Sequence, residues 1–428
     1  MTGAPLRGHE AIDTAGRLGQ LGQLLPVGAV PLHVGFGPVP PGHRVVDAWR
    51  ATPGPGDPRY LVPVGHAAAR RVLVSHLRLR ELRVRMQRRA AAAAVTPLAA
   101  WYRDRAVLSV SVPSDVGENV VDALFVTRHL VGLVPGATGT ALSLRGGHAR
   151  AKPVVQLVDR RGEVVAFAKV AADPATAARV RREAALLRRF GDALGTAGPL
   201  RLPRVLAAGE VAGCTYSVVE PLPGGVRGGR KDDAARALPG LVALRDAVGV
   251  RTAPLATATL WTETLATLED ALAGVAGADV PAAARDLADA AVALAGRMRT
   301  TDAAVALPLG PFHGDWVPWN MGWAGSTQWA WDLEYGSAEG PVGLDAVRWV
   351  FLVEQLANGR NLAGAVAAVR TAGPGLLRRL GADPAHTDLL VRLHLLELVA
   401  SALAVLAAGR GMPLGLEGAA DVLREAAR

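Results

Sequence analysis

Cysteine is nearly absent: Cys214 is the only one in 428 residues. That excludes an internal disulfide and any cysteine-rich zinc or iron–sulfur centre. Lysine is almost as scarce. Lys152, Lys169 and Lys231 are the only three among 47 basic residues, and the rest are arginine. With abundant Ala, Gly and Val, this skew looks like the codon bias of a GC-rich genome. No uninterrupted apolar run reaches the ~18 residues of a membrane span. The nearest candidate, Leu389 to Ala408, carries Arg392, His394 and Glu397 and is expected to be a buried amphipathic helix. The first residues lack a basic region followed by an apolar core, so no signal peptide is expected. A soluble cytoplasmic protein is the expectation.

Half the residues are apolar and 20% are charged, which is a globular composition with chain enough for a large core. At roughly 150 residues per domain, the length suggests two or three domains. The net charge is +9, but residues 300–428 hold nine Arg, no Lys and 13 acids. The basic excess therefore sits in the front of the chain. Eight Arg fall between His66 and Val95, in a helical pattern that reads as a solvated face. The basic residues are spread along helices without interleaved aromatics, so nucleic acid is not the expected partner. Polyanion binding by that Arg-rich stretch is a distant alternative.

Residues 1–65 are rich in Gly and Pro, with short apolar runs such as Tyr60-Leu61-Val62. Val134-Pro135-Gly136 suggests a boundary. Strands are expected at Ala141–Leu144, Pro153–Asp159 and Glu163–Val170, with Arg160-Arg161-Gly162 as a hairpin turn. Asp173-Pro174 is a helix start, an N-cap followed by proline. That helix should run to about Phe190. Two more strands are expected at Arg204–Ala208 and Thr215–Val219. From Lys231 onward the pattern is mostly helical, with short strands near Met321 and at Gln328–Asp332.

The sharpest pattern is His313-Gly314-Asp315-Trp316-Val317-Pro318-Trp319-Asn320, which fits H-x-D-x-x-x-x-N. An Asp in such a loop can orient an acceptor hydroxyl and take its proton. An Asn five residues on can curl back so that its amide oxygen binds Mg²⁺. Seventeen residues after Asp315, the apolar strand Trp329-Ala330-Trp331 ends in Asp332-Leu333-Glu334. An acid at such a strand end suits a Mg²⁺ that bridges β- and γ-phosphates. Glu334 either helps through a water or pairs with an arginine.

Lys169 stands in the apolar strand Val164–Val170, where a compact ammonium could reach α- and β-phosphates. Glu183 is the only acid between Pro174 and Phe190, and it shares a helical face with Val180 and Leu187. A carboxylate on a packed face needs a cation, and Lys169 is the natural one. Five of nine tryptophans (Trp316, Trp319, Trp323, Trp329, Trp331) lie within 16 residues. Core packing is the plainer reading; the functional one has Trp316 or Trp319 flank an acceptor and stack on it.

Lys, Glu, catalytic loop and metal Asp occur in the order of a kinase fold. On these residues the chain resembles the aminoglycoside phosphotransferase and choline kinase family, over roughly Gly136 to Ala407. The family's usual signature is H-G-D-x-x-P-x-N followed by I-D-W/F-E. The variant here looks like that of uncharacterised bacterial phosphotransferases. The resemblance implies an α+β, two-lobed protein-kinase-like fold, with a small β-rich N-lobe and a large helical C-lobe. The boundaries expected are an N-terminal extension over 1–134, the N-lobe over 135–222 and the C-lobe with the catalytic loop over 223–428.

The resemblance also implies the roles. Asp315 is the catalytic Asp, Asn320 and Asp332 are Mg²⁺ ligands, Lys169 binds phosphate and Glu183 orients it. His313 props the loop, and Asp345 caps a helix and tethers the loop. Gly146 and Gly147, with Arg150 or Lys152, stand where a phosphate loop is expected, although G-x-G-x-x-G is not matched. Glu220 and Leu222 fit the adenine slot. The activity implied is Mg²⁺-dependent transfer of the ATP γ-phosphoryl group to a hydroxyl of a small molecule, with GTP as an alternative donor. An amino sugar, a sugar and a choline-like alcohol are open as acceptors. A peptide Ser or Thr modified during natural-product maturation is one alternative. A nucleotide-binding pseudokinase without turnover is another.

Overall fold

The computed structural model describes residues 20–25, 30–54, 57–64, 107–144, 154–277, 280–409 and 415–428. They fall into two compact units. One comprises Met1–Ala184 and Arg204–Leu222, the other Ala185–Pro203 and Pro223–Arg428. The fold is α+β, with a sheet-rich first unit and a helix-rich second.

The first unit is built on a nine-stranded antiparallel sheet in the order β1-β4-β2-β3-β5-β6-β7-β10-β9. Its strands are β1 (His33–Phe36), β2 (His43–Gly54), β3 (Asp57–Pro63), β4 (Val107–Pro113), β5 (Gly139–Ser143), β6 (Val154–Val158), β7 (Val164–Ala171), β9 (Val205–Val211) and β10 (Cys214–Val219). Helices α1 (Glu118–Leu124) and α2 (Val126–Leu133) precede β5, and α3 (Pro174–Leu194) follows β7. Asp173 starts α3 as its sequence suggests: its carboxylate accepts the Thr176 N–H at 2.9 Å.

The boundary expected at 134/135 is not a break in this unit. β3 pairs with β5 through Tyr60↔Ser143 and Leu61↔Leu142. One core runs through Trp49, Val110, Phe125 and Leu130 on one side of that boundary and Leu142, Val155 and Val218 on the other. The cause is elementary. The free edge of β5 carries unpaired N–H and C=O groups, and β3 satisfies them. Prolines at 58 and 63 and register shifts along β2 masked these strands in the sequence.

One such shift falls beside Asp47, whose carboxylate accepts the Thr127 hydroxyl of α2. Burial pushes the Asp47 carboxyl up to about 6, against the Thr127 hydrogen bond and the Arg128 charge. A raised folded-state value means that protonation favours the fold. The contribution is complete below about 3.8 and is lost as pH rises through about 6. Asp47→Asn keeps an acceptor for Thr127 without the charge. It should raise Tm by a few degrees at pH 8, on the order of 1–2 kcal/mol, and by nothing at pH 4. Thermal melts at the two pH values check this.

The second unit holds two small sheets among helices. β12 (Arg251–Pro254), β13 (Ala306–Phe312) and β16 (Ser337–Pro341) form one, with β13 central. β11 (Arg227–Gly228), β14 (Met321–Ala324), β15 (Thr327–Ala330) and β8 (Leu200–Arg201) form the other. The helices are α4 (Ala234–Val248), α5 (Thr259–Ala276), α6 (Ala282–Thr301), α7 (Leu344–Leu352), α8 (Leu362–Arg379), α9 (Thr387–Ala407) and α10 (Ala419–Ala426).

Pro384–Ala407 is long and apolar enough to cross a membrane, with a mean hydropathy of 2.0. It serves instead as the core helix, packed on α5 and α6. Its buried residues, from Leu389, Leu390 and Val391 through Leu403 and Leu406, go right round it. The expected amphipathic stripe is therefore replaced by burial on all sides.

Candidate active site

In the second unit, β13 ends at Phe312 and delivers the chain into the loop His313–Asn320. His313 is fully buried. Its own N–H donates to Asp345 Oδ2 at 2.8 Å, and the Gly314 N–H donates to Asp345 Oδ1 at 3.0 Å. Asp345 lies in the first turn of α7, so one carboxylate ties two consecutive loop amides to that helix. Burial pushes its carboxyl up to about 6, opposed by those two amides and by Arg348. The Asp315 N–H donates to His313 Nδ1 at 3.3 Å, which fixes Nδ1 as an acceptor. The His313 ring stands edge-on to Trp316 at 5.2 Å.

Gly314 has φ +83°, and a Cβ there would run into the Tyr335 carbonyl. Only glycine meets both demands. Gly314→Ala should displace the loop, lowering turnover by at least about tenfold and Tm by several degrees. Paired kinetic and thermal measurements check both.

Pro318–Asn320 forms a 3₁₀ turn that curls Asn320 back toward Asp315. Asn320 Nδ2 donates to Asp315 Oδ2 at 2.6 Å and to the Asp315 carbonyl at 3.1 Å. The amide nitrogen is thereby spent on Asp315, and Oδ1 is the atom left to ligate a cation. The Trp331 N–H donates to the Asn320 carbonyl at 3.0 Å, which brings the chain just before Asp332 to Asn320. Asp332 adopts φ +71°, one of two described non-glycine residues with positive φ. Such a conformation costs free energy and clusters at functional sites.

The Asp315 carboxyl is pushed up to about 7. Burial is the largest cause, and the charges of Asp332 and Glu334 add to it. Arg348 and the Asn320 hydrogen bond oppose it. Three carboxylates crowd together here, and their mutual repulsion is what a divalent cation would relieve. The donors are hard carboxylate and amide oxygens, which suit Mg²⁺.

The tryptophans separate. Trp316, expected to stack on the acceptor, is 1% exposed and belongs to the core. It lines a small apolar cavity of about 10 Å³ with Leu238, Leu241 and Trp349. Trp319, on the 3₁₀ turn between Asp315 and Asn320, is 45% exposed and free to meet a ligand. Trp323 is buried beneath the Arg236 guanidinium, 4.3 Å from its ring. Glu334 is partly exposed.

In the first unit, Lys169 Nζ donates to Glu183 Oε1 at 2.8 Å and lies 2.6 Å from Oε2. Glu183 is buried, so this pair answers its need for a cation. Arg181, two residues before Glu183, pairs with Glu210 at 3.0 Å. Glu220 and Leu222 lie just beyond the end of β10. The Glu220 N–H is spent on the Arg204 carbonyl at 2.9 Å, and its carboxylate accepts the Arg204 N–H at 3.1 Å. Gly146, Gly147, Arg150 and Lys152 lie outside the described residues, as does the Arg-rich stretch His66–Val95. The sequence reading missed Arg348 and Tyr335. Arg348 is three residues after Asp345 on α7, and that i, i+3 spacing could have placed it on the loop-facing side.

Residues 140–331 match the model of a family described as the phosphotransferase enzyme family. This agrees with the resemblance carried by the motifs. No curated protein matches the chain. Among solved structures, a choline/ethanolamine kinase family protein from Mesorhizobium loti is 18% identical, with a TM-score of 0.43 over 70% of this chain and 92% of that one. A thermostable mutant of an aminoglycoside phosphotransferase, in complex with ADP and hygromycin B, is 14% identical, with a TM-score of 0.44 over 70% and 98%. An amicoumacin kinase in complex with AMP-PNP and Ca²⁺ is 13% identical, with a TM-score of 0.44 over 67% and 87%.

Proposed function

We propose, on the premise of that family match, that the chain transfers the γ-phosphoryl group of ATP to a hydroxyl of a small molecule in the cytoplasm. The observation that carries the reading is the Asp315–Asn320 hydrogen bond in a loop held by Asp345, with the carboxyl of Asp315 raised to about 7. A carboxylate poised near neutrality is a suitable proton acceptor. In this reading the acceptor oxygen attacks the γ-phosphorus, and its proton passes to Asp315. The bond from the γ-phosphorus to the bridging oxygen breaks, and ADP leaves. Asp332 and Asn320 Oδ1 would hold Mg²⁺, which supplies charge neutralisation at the phosphates. Lys169, oriented by Glu183, would bind the α- and β-phosphates, with Gly146, Gly147 and Arg150 as phosphate-loop candidates and Glu220 and Leu222 at the base.

The exposed indole of Trp319 and the partly exposed acid Glu334 favour a cationic acceptor, such as an amino sugar or choline-like alcohol. Trp319→Ala should then raise acceptor KM about tenfold and leave ATP KM within twofold. Equal effects on both would remove Trp319 from the acceptor site. The reading as a whole is tested by ADP release from Mg-ATP against a panel of amino sugars, sugars and amino alcohols. Acceptor-stimulated release with a phosphorylated product supports it. Mg-ATP binding without turnover on any acceptor, including Ser/Thr peptides, would favour the pseudokinase reading.

A further inference from the structure

Arg348 carries a charge into the interior of the second unit. It is 6% exposed, on α7, one helical turn after Asp345. One arm of its guanidinium donates to the Gly314 carbonyl. The other pairs with Glu397, which projects from the core helix α9. The flat face of the group lies 4.8 Å from the centre of the Phe312 ring, at the end of β13. Strand end, loop and core helix therefore meet on one side chain.

The peptide groups at Gly314 are held from both sides. Asp345 accepts the N–H groups of His313 and Gly314, and Arg348 donates to the Gly314 carbonyl. That carbonyl belongs to the peptide bond leading into Asp315. Fixing it fixes the plane from which the Asp315 side chain departs. Arginine suits the task because its planar fork sets two donor directions at once, whereas an ammonium offers one point charge. Glu397 is what keeps the fork from turning. His394, one turn earlier on α9, is buried with both ring nitrogens unpartnered among the described residues. Burial and the Arg348 charge hold it neutral, so it does not compete as a second cation for Glu397.

We propose that Arg348, braced by Glu397, is the positioning residue that orients the catalytic loop, so that it governs turnover and not nucleotide affinity. The proposal rests on the reading of Asp315 as the proton acceptor. It predicts a coupling that a merely packed ion pair lacks: Arg348 and Glu397 act on the loop as one device, and each is useless without the other.

The test uses the full chain, with Mg-ATP hydrolysis in water as the probe reaction and hydrogen exchange of the loop amides as an independent readout. Arg348→Met should lower the rate of ADP release by about 10²-fold and leave the Mg-ATP Kd within twofold. Arg348→Lys keeps the charge but loses the fork; it should still fall about tenfold, and it serves where the Met variant fails to fold. Glu397→Leu should resemble Arg348→Met, and the double variant should be no worse than either alone. Glu397→Gln keeps an acceptor and should restore most of the rate. In the Arg and Leu variants, exchange should speed up at 313–316 and stay unchanged in α9. Wild-type rates together with wild-type exchange in both Arg348 variants overturn the proposal, as does a loss of Mg-ATP affinity that matches the loss of rate. Asp315→Asn, run in parallel, separates the two ideas. Undiminished turnover there removes Asp315 as proton acceptor, and the exchange measurement still decides the clamp.

Discussion

Asp315→Asn should lower phosphoryl transfer by about 10²- to 10⁴-fold and leave Mg-ATP affinity within a few-fold of wild type. Asn is nearly isosteric with Asp, so the loop keeps its shape. It has no basic lone pair that can take a hydroxyl proton at neutral pH. Asn320 Nδ2 now donates to Asp315 Oδ2. In the variant it can donate to the amide oxygen, so that contact persists as well. Two donors could instead face each other if the new amide were flipped, which is why Asp315→Ala is the second variant to measure. Single-turnover kinetics with saturating Mg-ATP isolate the step. Turnover within about threefold of wild type in both variants would remove Asp315 from the chemistry. A loss of Mg-ATP binding equal to the loss of rate would instead make it a ligand of the nucleotide complex.

The geometry of the candidate loop was legible in the sequence because its constraints are local. His313 to Asn320 is one loop and one 3₁₀ turn, and the five-residue spacing is what brings Asn320 onto Asp315. Lys169 and Glu183 were legible for a different reason. A lone acid on a packed helical face demands a cation, and the preceding strand offered a lysine in a chain that hardly uses lysine. The loop's supports were harder to see, since Arg348 and Glu397 are 49 residues apart and meet only through the packing of α9 against α7. β13 was missed because Pro308 and Pro311 argue against a central strand. Its register shift between Gly310 and Phe312 absorbs the second of them. Trp316 illustrates the limit on the other side. Next to Asp315 in sequence, it is buried in the core.

The opposing effects at Asp332 make the second large prediction. Asp332 is held at φ +71° and stands close enough to Asp315 for its charge to push the Asp315 carboxyl up. Asparagine tolerates that backbone region about as well as aspartate, whereas alanine does not. Asp332→Asn therefore tests the charge without adding backbone strain. Without nucleotide, it removes one of three crowded carboxylates and should leave Tm unchanged or raise it by a few degrees. With nucleotide the sign reverses. Mg-ATP at 100 times Kd should stabilise the wild type by about 2.7 kcal/mol, a rise of several degrees. The variant lacks the anionic ligand for the cation and should lose nearly all of that rise. ATP with EDTA should behave alike in the two proteins. Such a crossing, higher Tm alone and lower Tm with Mg-ATP, is the mark of a residue kept for its ligand at the expense of the fold. A variant that is simply less stable under every condition would make Asp332 a structural acid, and the cation would have to be sought elsewhere.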